Sequence, residues 1–300
     1  MSADYLGSKT THLWSGTDQN HAVYIPGTCN GAPCSTLANT NQRRLLYLQN
    51  PAAGAAYSQV QSLNEGNYSN YNGLILKARH RFARNYTVLT SYTYSKCLQA
   101  GEIESNDLGN NGPSFQNPND INADYGLCDS DLRHSFVASL VIDSPKFGNK
   151  FAQAALGNWE VSPIVSAQAG YPFNPLSGVD NSRTSIGQDR PNVVGNPYLR
   201  NKKTLKWLNA AAYSQNPVGT FGDSRWNAVT TPRYVDLDAA VLRTFPIREG
   251  YNFQFRAEAF NTLNHTNFGQ PANNLSTSTF GAILSSNPAR ILQLAAKFTF

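Results

Sequence analysis

Apolar and polar side chains alternate along several stretches of the chain, and a period of two is typical of half-buried β-strands. Residues 251–259 show it clearly, because Tyr251, Phe253 and Phe255 alternate with polar neighbours. The alternation predicts eight strands at approximately 3–13, 71–83, 86–97, 134–143, 159–169, 234–245, 251–263 and 289–300. Most are long enough to cross a bilayer, since a tilted membrane strand needs roughly 9–11 residues. We interpret 3–13 as a strand cut short by the start of the chain, and Pro163 as the site of a bulge.

The predicted connections alternate between long and short. The long ones cover approximately 14–70, 98–133, 170–233 and 264–288, and the short ones 84–85, 144–158 and 246–250. This order is typical of a barrel that carries long loops on one rim and tight turns on the other. The pattern therefore predicts an all-β fold, an antiparallel up-and-down transmembrane β-barrel segment of about eight strands with short periplasmic turns and long extracellular loops.

Aromatic residues cluster near both ends of the predicted strands. Amphipathic rings prefer the two membrane interfaces, so two belts are expected in a membrane barrel. The short-turn belt comprises Phe82, Tyr86, Trp159, Phe245, Tyr251, Phe298 and Phe300, and the long-loop belt Tyr71, Tyr94, Phe136, Tyr171 and Tyr234. The alternative is that strands are simply rich in Tyr and Phe.

The composition agrees with short amphipathic strands joined by polar loops. Charged residues make up 14% of the chain, against roughly 25% in an average soluble domain. No run approaches the roughly 20 apolar residues of a membrane helix. The net charge of +5 is spread along the sequence, so no nucleic-acid partner is expected. Met1 is not followed by a signal peptide, and we therefore expect an N-terminal part to be missing.

Several stretches resemble the C-terminal barrel of TonB-dependent outer-membrane receptors, in particular the Oar-like kind of Gram-negative soil bacteria such as acidobacteria. The matching segments are YLGSKTTHLW (5–14), NTNQRRLL (39–46), SNYNGLILKARHRF (69–82), YTVLTSYTYSKCL (86–98), DYGLCDSDLRHSFVASLV (124–141), GNWEVSPIVSAQAGYPFNP (157–175), FRAEAFNTLNHTNFGQP (255–271) and PARILQLAAKFTF (288–300). The resemblance implies a barrel of about 22 strands with an N-terminal plug. Residues 1–300 would then be the C-terminal portion of that barrel, with the plug absent.

The resemblance also implies a function and partners. It implies active uptake of a bulky extracellular ligand (a carbohydrate, an iron chelate or a peptide) through the cell outer membrane, in contact with membrane lipid. An inner-membrane energy-coupling complex would act only through the missing N-terminal part, and no cofactor is implied. The last strand of such barrels is recognised by the β-barrel assembly machinery through strand pairing. The residues that would form this signal are Leu292, Leu294, Ala296, Phe298 and Phe300.

The four cysteines fall in or beside the long connections. Cys29 and Cys34 bracket a turn-like NGAP, whereas Cys97 ends a strand and Cys128 precedes the next. We expect the disulfides 29–34 and 97–128, because an oxidising exterior favours them. Metal binding is the alternative, but no CxxC motif or nearby histidine supplies ligand spacing.

The ligand-contacting residues are harder to locate. Asp124, Tyr125 and Asp129 in an acidic loop, with Trp226 in a later one, are candidates for binding a cation or a sugar. Solvated loop carboxylates are common, and loop aromatics pack as readily as they stack on sugars, so both alternatives stay open. No phosphate loop, HExxH or GxSxG is present, and we expect neither an enzyme nor a metal site.

Three hypotheses follow for the whole chain. The first is the truncated barrel of a TonB-dependent receptor. The second is a self-contained eight-stranded outer-membrane barrel that serves as an adhesin or structural anchor, which requires the first and last strands to pair. The third is a secreted carbohydrate-binding β-sandwich, which requires the apolar faces of two sheets to bury each other.

Overall fold

A computed structural model of the chain describes residues 1–82, 85–101, 115–187, 189–199 and 205–300. Its dominant feature is one sheet with eight long strands, which we call the wall. These are β1 (Ser2–Asp18), β2 (Gln61–Phe82), β3 (Tyr86–Ala100), β4 (His134–Asp143), β5 (Trp159–Gln168), β6 (Tyr234–Arg248), β7 (Tyr251–Phe260) and β8 (Ile291–Thr299).

The connections contain smaller elements. Short strands cover Thr28–Cys29, Ala32–Pro33, Tyr125–Leu127, Pro172–Phe173, Asn192–Val193, Tyr213–Ser214 and Val229–Thr230. The helices are α1 (Leu45–Gln49), α2 (Pro51–Gly54) and α3 (Lys150–Leu156), with 3-10 turns at Asn41–Arg43, Ile121–Asp124 and Ala210–Ala212. Every helix of the described residues is too short or too polar to span a bilayer.

Each wall strand pairs antiparallel with its neighbour in the sequence, from β1 to β8. The register brings the apolar residues of successive strands together, because residues paired across a sheet lie on the same face. One row runs through Leu76, Tyr92, Phe136, Ala167 and Val235. The apolar sets therefore form one continuous face, which we call the apolar face, and the predicted all-β antiparallel fold is confirmed.

The boundaries of the first strands differ from the prediction. β1 spans 17 residues and ends at Asp18, beyond the predicted end at residue 13. β2 begins at Gln61, within the stretch predicted as loop. Both extensions pair with each other and carry polar residues on both faces, such as Ser62 on one and Gln61 on the other. Strands beyond the membrane need no apolar face, so alternation gives no signal there.

Pro163 does not mark a bulge. It pairs with Ala239 of β6 within an unbroken register. On the β4 side, the pairs Ser139–Ile164 and Ile142–Val161 keep the same register around it, and only the rungs between them are absent. Proline lacks an N–H donor, so the ladder loses bonds locally without gaining a residue.

The aromatic belts are unequal. At the short-turn end, Trp159, Phe245 and Phe298 lie on the apolar face, and the rings of Phe245 and Phe253 are 6.0 Å apart. At the long-loop end, Tyr94 and Phe136 share that face, and the Tyr94 ring lies 5.2 Å from His134. Two predicted members of the belt, Tyr71 and Tyr234, lie on the opposite face by register. The Phe82 side chain lies outside the described residues.

The short-turn rim is less uniform than predicted. The turn between β2 and β3 includes residues 83–84, which lie outside the described residues. The connection between β4 and β5 contains α3, whereas the turn between β6 and β7 is tight, with Gly250 at φ 81°. A positive φ favours glycine, which explains the residue at that turn.

The long connections fold into a second region at the opposite rim, which we call the outer loop layer. Its described parts are 19–60, 101, 115–133, 169–187, 189–199, 205–233 and 261–290. It contains a small apolar core made of Phe173, Leu208, Ala212, Tyr213, Val229 and Phe280. Most of its other buried side chains are polar or charged.

Candidate functional site

A buried ion pair joins two long connections of the outer loop layer. Asp124 and Arg190 are 0% and 1% exposed, and the Arg190 guanidinium contacts the Asp124 carboxylate. Asp124 also accepts a hydrogen bond from the Gln116 backbone N–H at 2.8 Å, and Arg190 Nε donates to the Ser224 carbonyl at 2.7 Å. Burial raises the pKa of Asp124, and the adjacent Arg190 acts in the opposite direction. The pair is structural, because neither group faces solvent.

A second buried pair anchors the connection between β1 and β2. Arg44 Nη1 lies 3.5 Å from Asp18 Oδ2 at the end of β1. The neighbouring Arg43 donates to the carbonyls of Val23 and Arg183, at 2.6 and 2.9 Å. Burial lowers the pKa of Arg43. Both arginines thus tie the first long connection to the third, at Arg183 and Ser185.

The third long connection has its own polar centre at Asp189. Its carboxylate accepts hydrogen bonds from the Ser182 N–H and hydroxyl, both at 2.7 Å. Asn216 Nδ2 donates to it at 3.3 Å. Burial raises the pKa of Asp189, and these hydrogen bonds act in the opposite direction. This centre fixes the shape of the loop, since each buried oxygen has donors.

Two disulfides staple the layer. Cys29 is bonded to Cys34 and Cys97 to Cys128, with separations of 5 and 31 residues. The second joins the end of β3 to the connection that follows it. In the chain-entropy model, loops of these lengths contribute about 2 and about 4 kcal/mol. The staples favour a fixed outer loop layer over a mobile one.

A cleft of about 570 Å³ opens between the end of β3 and the third long connection. Its lining includes Lys96, Tyr125, Asp223, Arg225 and Trp226. Lys96 and Arg225 are exposed, and no carboxylate of the described residues lies within salt-bridge distance of either. The Trp226 ring is buried beneath the Arg190 guanidinium at 5.8 Å, and its Nε1–H has no partner among the described residues. The cleft therefore presents two cations and one carboxylate.

The structure brings some of the ligand-binding candidates together and excludes others from contact. Tyr125 and Trp226 line the same cleft, and Tyr125 stacks on Tyr68 with ring centroids 5.8 Å apart. Asp124 is fully buried, so the prediction that it contacts ligand is wrong. Asp129 is exposed, but both of its oxygens accept hydrogen bonds, from Asn227 at 2.6 Å and Gln99 at 3.0 Å.

Most of the loop aromatics pack rather than display their rings. Phe173 and Tyr213 lie in the apolar core, and Trp207 packs against it. Burial raises the pKa of Tyr213 well above its usual range. Tyr171, by contrast, is exposed at the foot of its loop. The packing alternative is thus the correct one for these three rings.

Two charged residues on the inner, polar face of the wall form a local pair. Arg256 and Glu258 lie two apart on β7 and contact each other. Asp236 and Asp238 of β6 accept hydrogen bonds from Tyr234 and the Asn261 N–H. Among the described residues, these two aspartates form no ion pair with Arg256, whose partner is Glu258. No cluster of three or more potential metal ligands occurs in the described part of the chain.

The last strand has the predicted arrangement of its apolar side chains. Leu292, Leu294, Ala296 and Phe298 face the same side as Ala259, Ala257, Phe255 and Phe253 of β7. β8 pairs only with β7 in the described sheet, so its other edge is open. An open edge with exposed alternate side chains is the geometry that strand addition requires.

A comparison with known families decides the class of protein. The sequence profile of the family described as outer membrane beta barrel domain matches residues 1–293. The chain belongs to this family. No curated protein and no solved structure matches it. Membership of the outer membrane beta barrel domain family confirms the predicted location in the outer membrane. The apolar face of the wall thus lies against lipid, and the secreted β-sandwich hypothesis is wrong.

Several residues that organise the site carried no sequence signal. Arg190, Arg44 and Asp189 stand in polar stretches without periodicity. Arg190 pairs with Asp124 of another long connection and Arg44 with Asp18 of β1. Asp189 is held by Ser182 and Asn216 of its own connection. Lys96 and Arg225 were missed for the same reason. Lys96 has a recognisable position in retrospect, since it is the first charged residue after Tyr94 on the apolar face.

Proposed function

We propose that the chain is the C-terminal part of the barrel of a TonB-dependent receptor that takes up a bulky extracellular ligand. The observation that carries the proposal is the open sheet. β1 and β8 are the two edges, and each pairs with a single neighbour among the described residues. Eight strands suffice to close a small barrel, so an open arc favours a wider barrel that is completed by further strands.

The fixed structure of the outer loop layer is an argument for a bulky ligand rather than a small permeating solute. The connections bond to one another, for example through Gln116 to the Gly222 carbonyl at 3.0 Å and Asn273 to the Asn174 carbonyl at 2.8 Å. Binding surfaces that are fixed before the ligand arrives lose less entropy on binding. The cleft at Tyr125 and Trp226 is the ligand-contacting region that we propose within this layer.

The partners follow from the same proposal. The exposed apolar set of β8 that ends in Phe300 would be recognised by the β-barrel assembly machinery. Energy coupling would act through the plug and the segment that precedes it, which the described residues do not contain. The protein would bind and pass its ligand without chemical change, so we propose no catalytic residue, metal or cofactor.

Uptake by the native host tests the proposal. A deletion strain and the wild type are supplied with a carbohydrate, an iron chelate or a peptide as the sole source of the nutrient. We expect the deletion to abolish accumulation of one class, and a protonophore to reduce wild-type uptake of that class to the same level. Uptake that survives the protonophore would contradict energy coupling.

The apparent mass distinguishes the small-barrel alternative. Host outer membranes are probed for this sequence after heating in detergent. A band at about three times 32.8 kDa, as for a barrel of about 22 strands with a plug, supports the receptor. A band at 32.8 kDa itself, with no loss of uptake on deletion, would support the self-contained adhesin or structural anchor.

A further inference from the structure

We propose that α3 lies in the periplasmic leaflet of the outer membrane, where it anchors the wall through its apolar side to phospholipid. The helix spans Lys150–Leu156 in the connection between β4 and β5. Asn149 caps it, because its side chain accepts from the Phe151 N–H at 2.8 Å. The buried Gly157 ends it with an N–H that donates to the Gln153 carbonyl at 3.0 Å.

The amphipathic pattern of α3 is the reverse of the usual one. At 100° per residue, Phe151, Ala152, Ala155 and Leu156 fall on one side of the helix, and Lys150 and Gln153 on the other. Phe151 and Leu156 are 82% and 58% exposed. Gln153 is half-buried towards the barrel, where its Oε1 accepts from the Phe147 N–H at 2.8 Å. A helix of a water-soluble protein turns its apolar side inward, so the outward side of α3 suits an apolar surrounding.

The outward side of α3 continues the lipid-facing surface of the wall. Trp159 and Arg243 both lie on the apolar face by register. Trp159 Nε1 donates to the Ala155 carbonyl at 3.2 Å, and the Arg243 guanidinium donates to the Ala154 carbonyl. The last turn of the helix therefore rests on side chains that face lipid. This continuity selects a bilayer as the occupant rather than a periplasmic protein.

The charges near α3 fit the headgroup region of a phospholipid leaflet. Arg243 lies over the rings of Trp159 and Phe245, at 4.9 and 4.6 Å. It shares a cleft of about 440 Å³ with Lys150, Phe147 and Phe245. A lipid phosphate in this cleft would meet two cations, while Phe151 and Leu156 reach the boundary of the acyl chains. Interfacial helices insert their apolar side by roughly 5–10 Å in this way.

Depth-resolved fluorescence quenching tests the proposal. All four native cysteines are in disulfides, so a single introduced thiol takes the dye selectively. Phe151→Cys and Leu156→Cys are made in the full-length protein, labelled with an environment-sensitive dye and placed in vesicles of phosphatidylethanolamine and phosphatidylglycerol. Leu284→Cys is the matched control, because Leu284 is an apolar residue of the opposite rim that is 68% exposed.

We expect the two quenchers to act in opposite order on dyes at the two rims. Nitroxide groups on the lipid acyl chains should quench the dye at 151 and 156 several-fold more than at 284, and aqueous iodide should do the opposite. Equal iodide quenching at 151, 156 and 284 would overturn the proposal in favour of a solvent-exposed helix. Protection of 151 and 156 from both quenchers would also overturn it, since the helix would then be buried within the protein itself. Either labelled position suffices if the other variant folds poorly.

Discussion

The wall and the outer loop layer belong to one polar, aromatic-rich chain, yet their side chains are buried in different ways. In the wall, large apolar residues are left open, and Leu292 and Leu294 are each 71% exposed. In the layer, charged residues are sealed inside, as Arg190 and Asp124 show. The wall uses lipid as its apolar surrounding, whereas the layer stands in water and builds its own interior from hydrogen-bonded polar groups. Substitutions should therefore destabilise the two regions for different physical reasons.

The largest expected effect comes from breaking a buried pair of the layer. Arg190→Ala leaves the Asp124 carboxylate buried and unpaired, which costs about 3–5 kcal/mol. Arg225→Ala, at an exposed arginine of the same connection, should change the stability of the layer little. Proteolysis of the outer loops on intact cells measures the difference, and the heat-modifiable gel mobility of the barrel should not change. Equal proteolysis of the two variants would contradict a structural role for the pair.

The disulfides give a graded comparison within the layer. Replacing Cys97 and Cys128 together by serine should lower its stability by about 4 kcal/mol, and replacing Cys29 and Cys34 by about 2 kcal/mol, because the longer loop gains more freedom when opened. Hydrogen exchange of the layer in the full-length protein compares the two double variants. A greater loss of hydrogen-exchange protection on removal of the Cys29–Cys34 disulfide than on removal of the Cys97–Cys128 disulfide would contradict this ranking.

The wall should respond to which face carries a charge. Ala138 lies on the apolar face between Thr90 and Val165, and its neighbour Ser139 lies on the polar face. Ala138→Arg should cost about 2–4 kcal/mol near the middle of the bilayer, whereas Ser139→Arg faces the lumen and should be tolerated. The folded fraction on refolding into vesicles distinguishes them. Similar losses of folded protein for both substitutions would show that neither face lies in lipid.

The smallest expected effect is a pH dependence confined to the layer. Burial raises the pKa of Asp189 above its unfolded value, so the folded state binds the proton more tightly. Its contribution to stability is fully present below the unfolded pKa of about 4 and is lost as the pH rises through the folded value. Asp189→Asn should remove this part of the slope. Hydrogen exchange of residues 177–189 between pH 3 and 7, in the wild type and in Asp189→Asn, measures this pH dependence of stability. The same slope in the variant and the wild type would assign the pH dependence to other groups.

The wall could be predicted from the sequence because its period is set locally. Apolar residues at every second position locate β4 to β8 within a few residues, as Phe136, Val165 and Leu294 illustrate. The same rule missed the outer halves of β1 and β2, where water replaces lipid and polar residues such as Gln61 and Ser62 occupy opposite faces. It also hid α3, since a seven-residue helix is too short for a clear helical period.

The candidate site could be predicted only in part. Tyr125 and Trp226 were named from composition and do line one cleft, but Asp124 was assigned to the surface although it is buried. Its partner Arg190 comes from another long connection, and no spacing in the sequence links the two. Buried polar networks of this kind depend on tertiary geometry, which neither propensity nor periodicity encodes.

The most direct test of the central claim is a cysteine scan of β4 in native outer membranes, because this strand lies inside the wall with neighbours on both sides. Each residue from His134 to Asp143 is replaced in turn and exposed to a lipid-soluble and a water-soluble thiol reagent. We predict alternation, with 136, 138, 140 and 142 reached through lipid and 137, 139 and 141 reached through water in the lumen. Uniform labelling by the water-soluble reagent, or a pattern without a period of two, would contradict a wall with one face in the membrane.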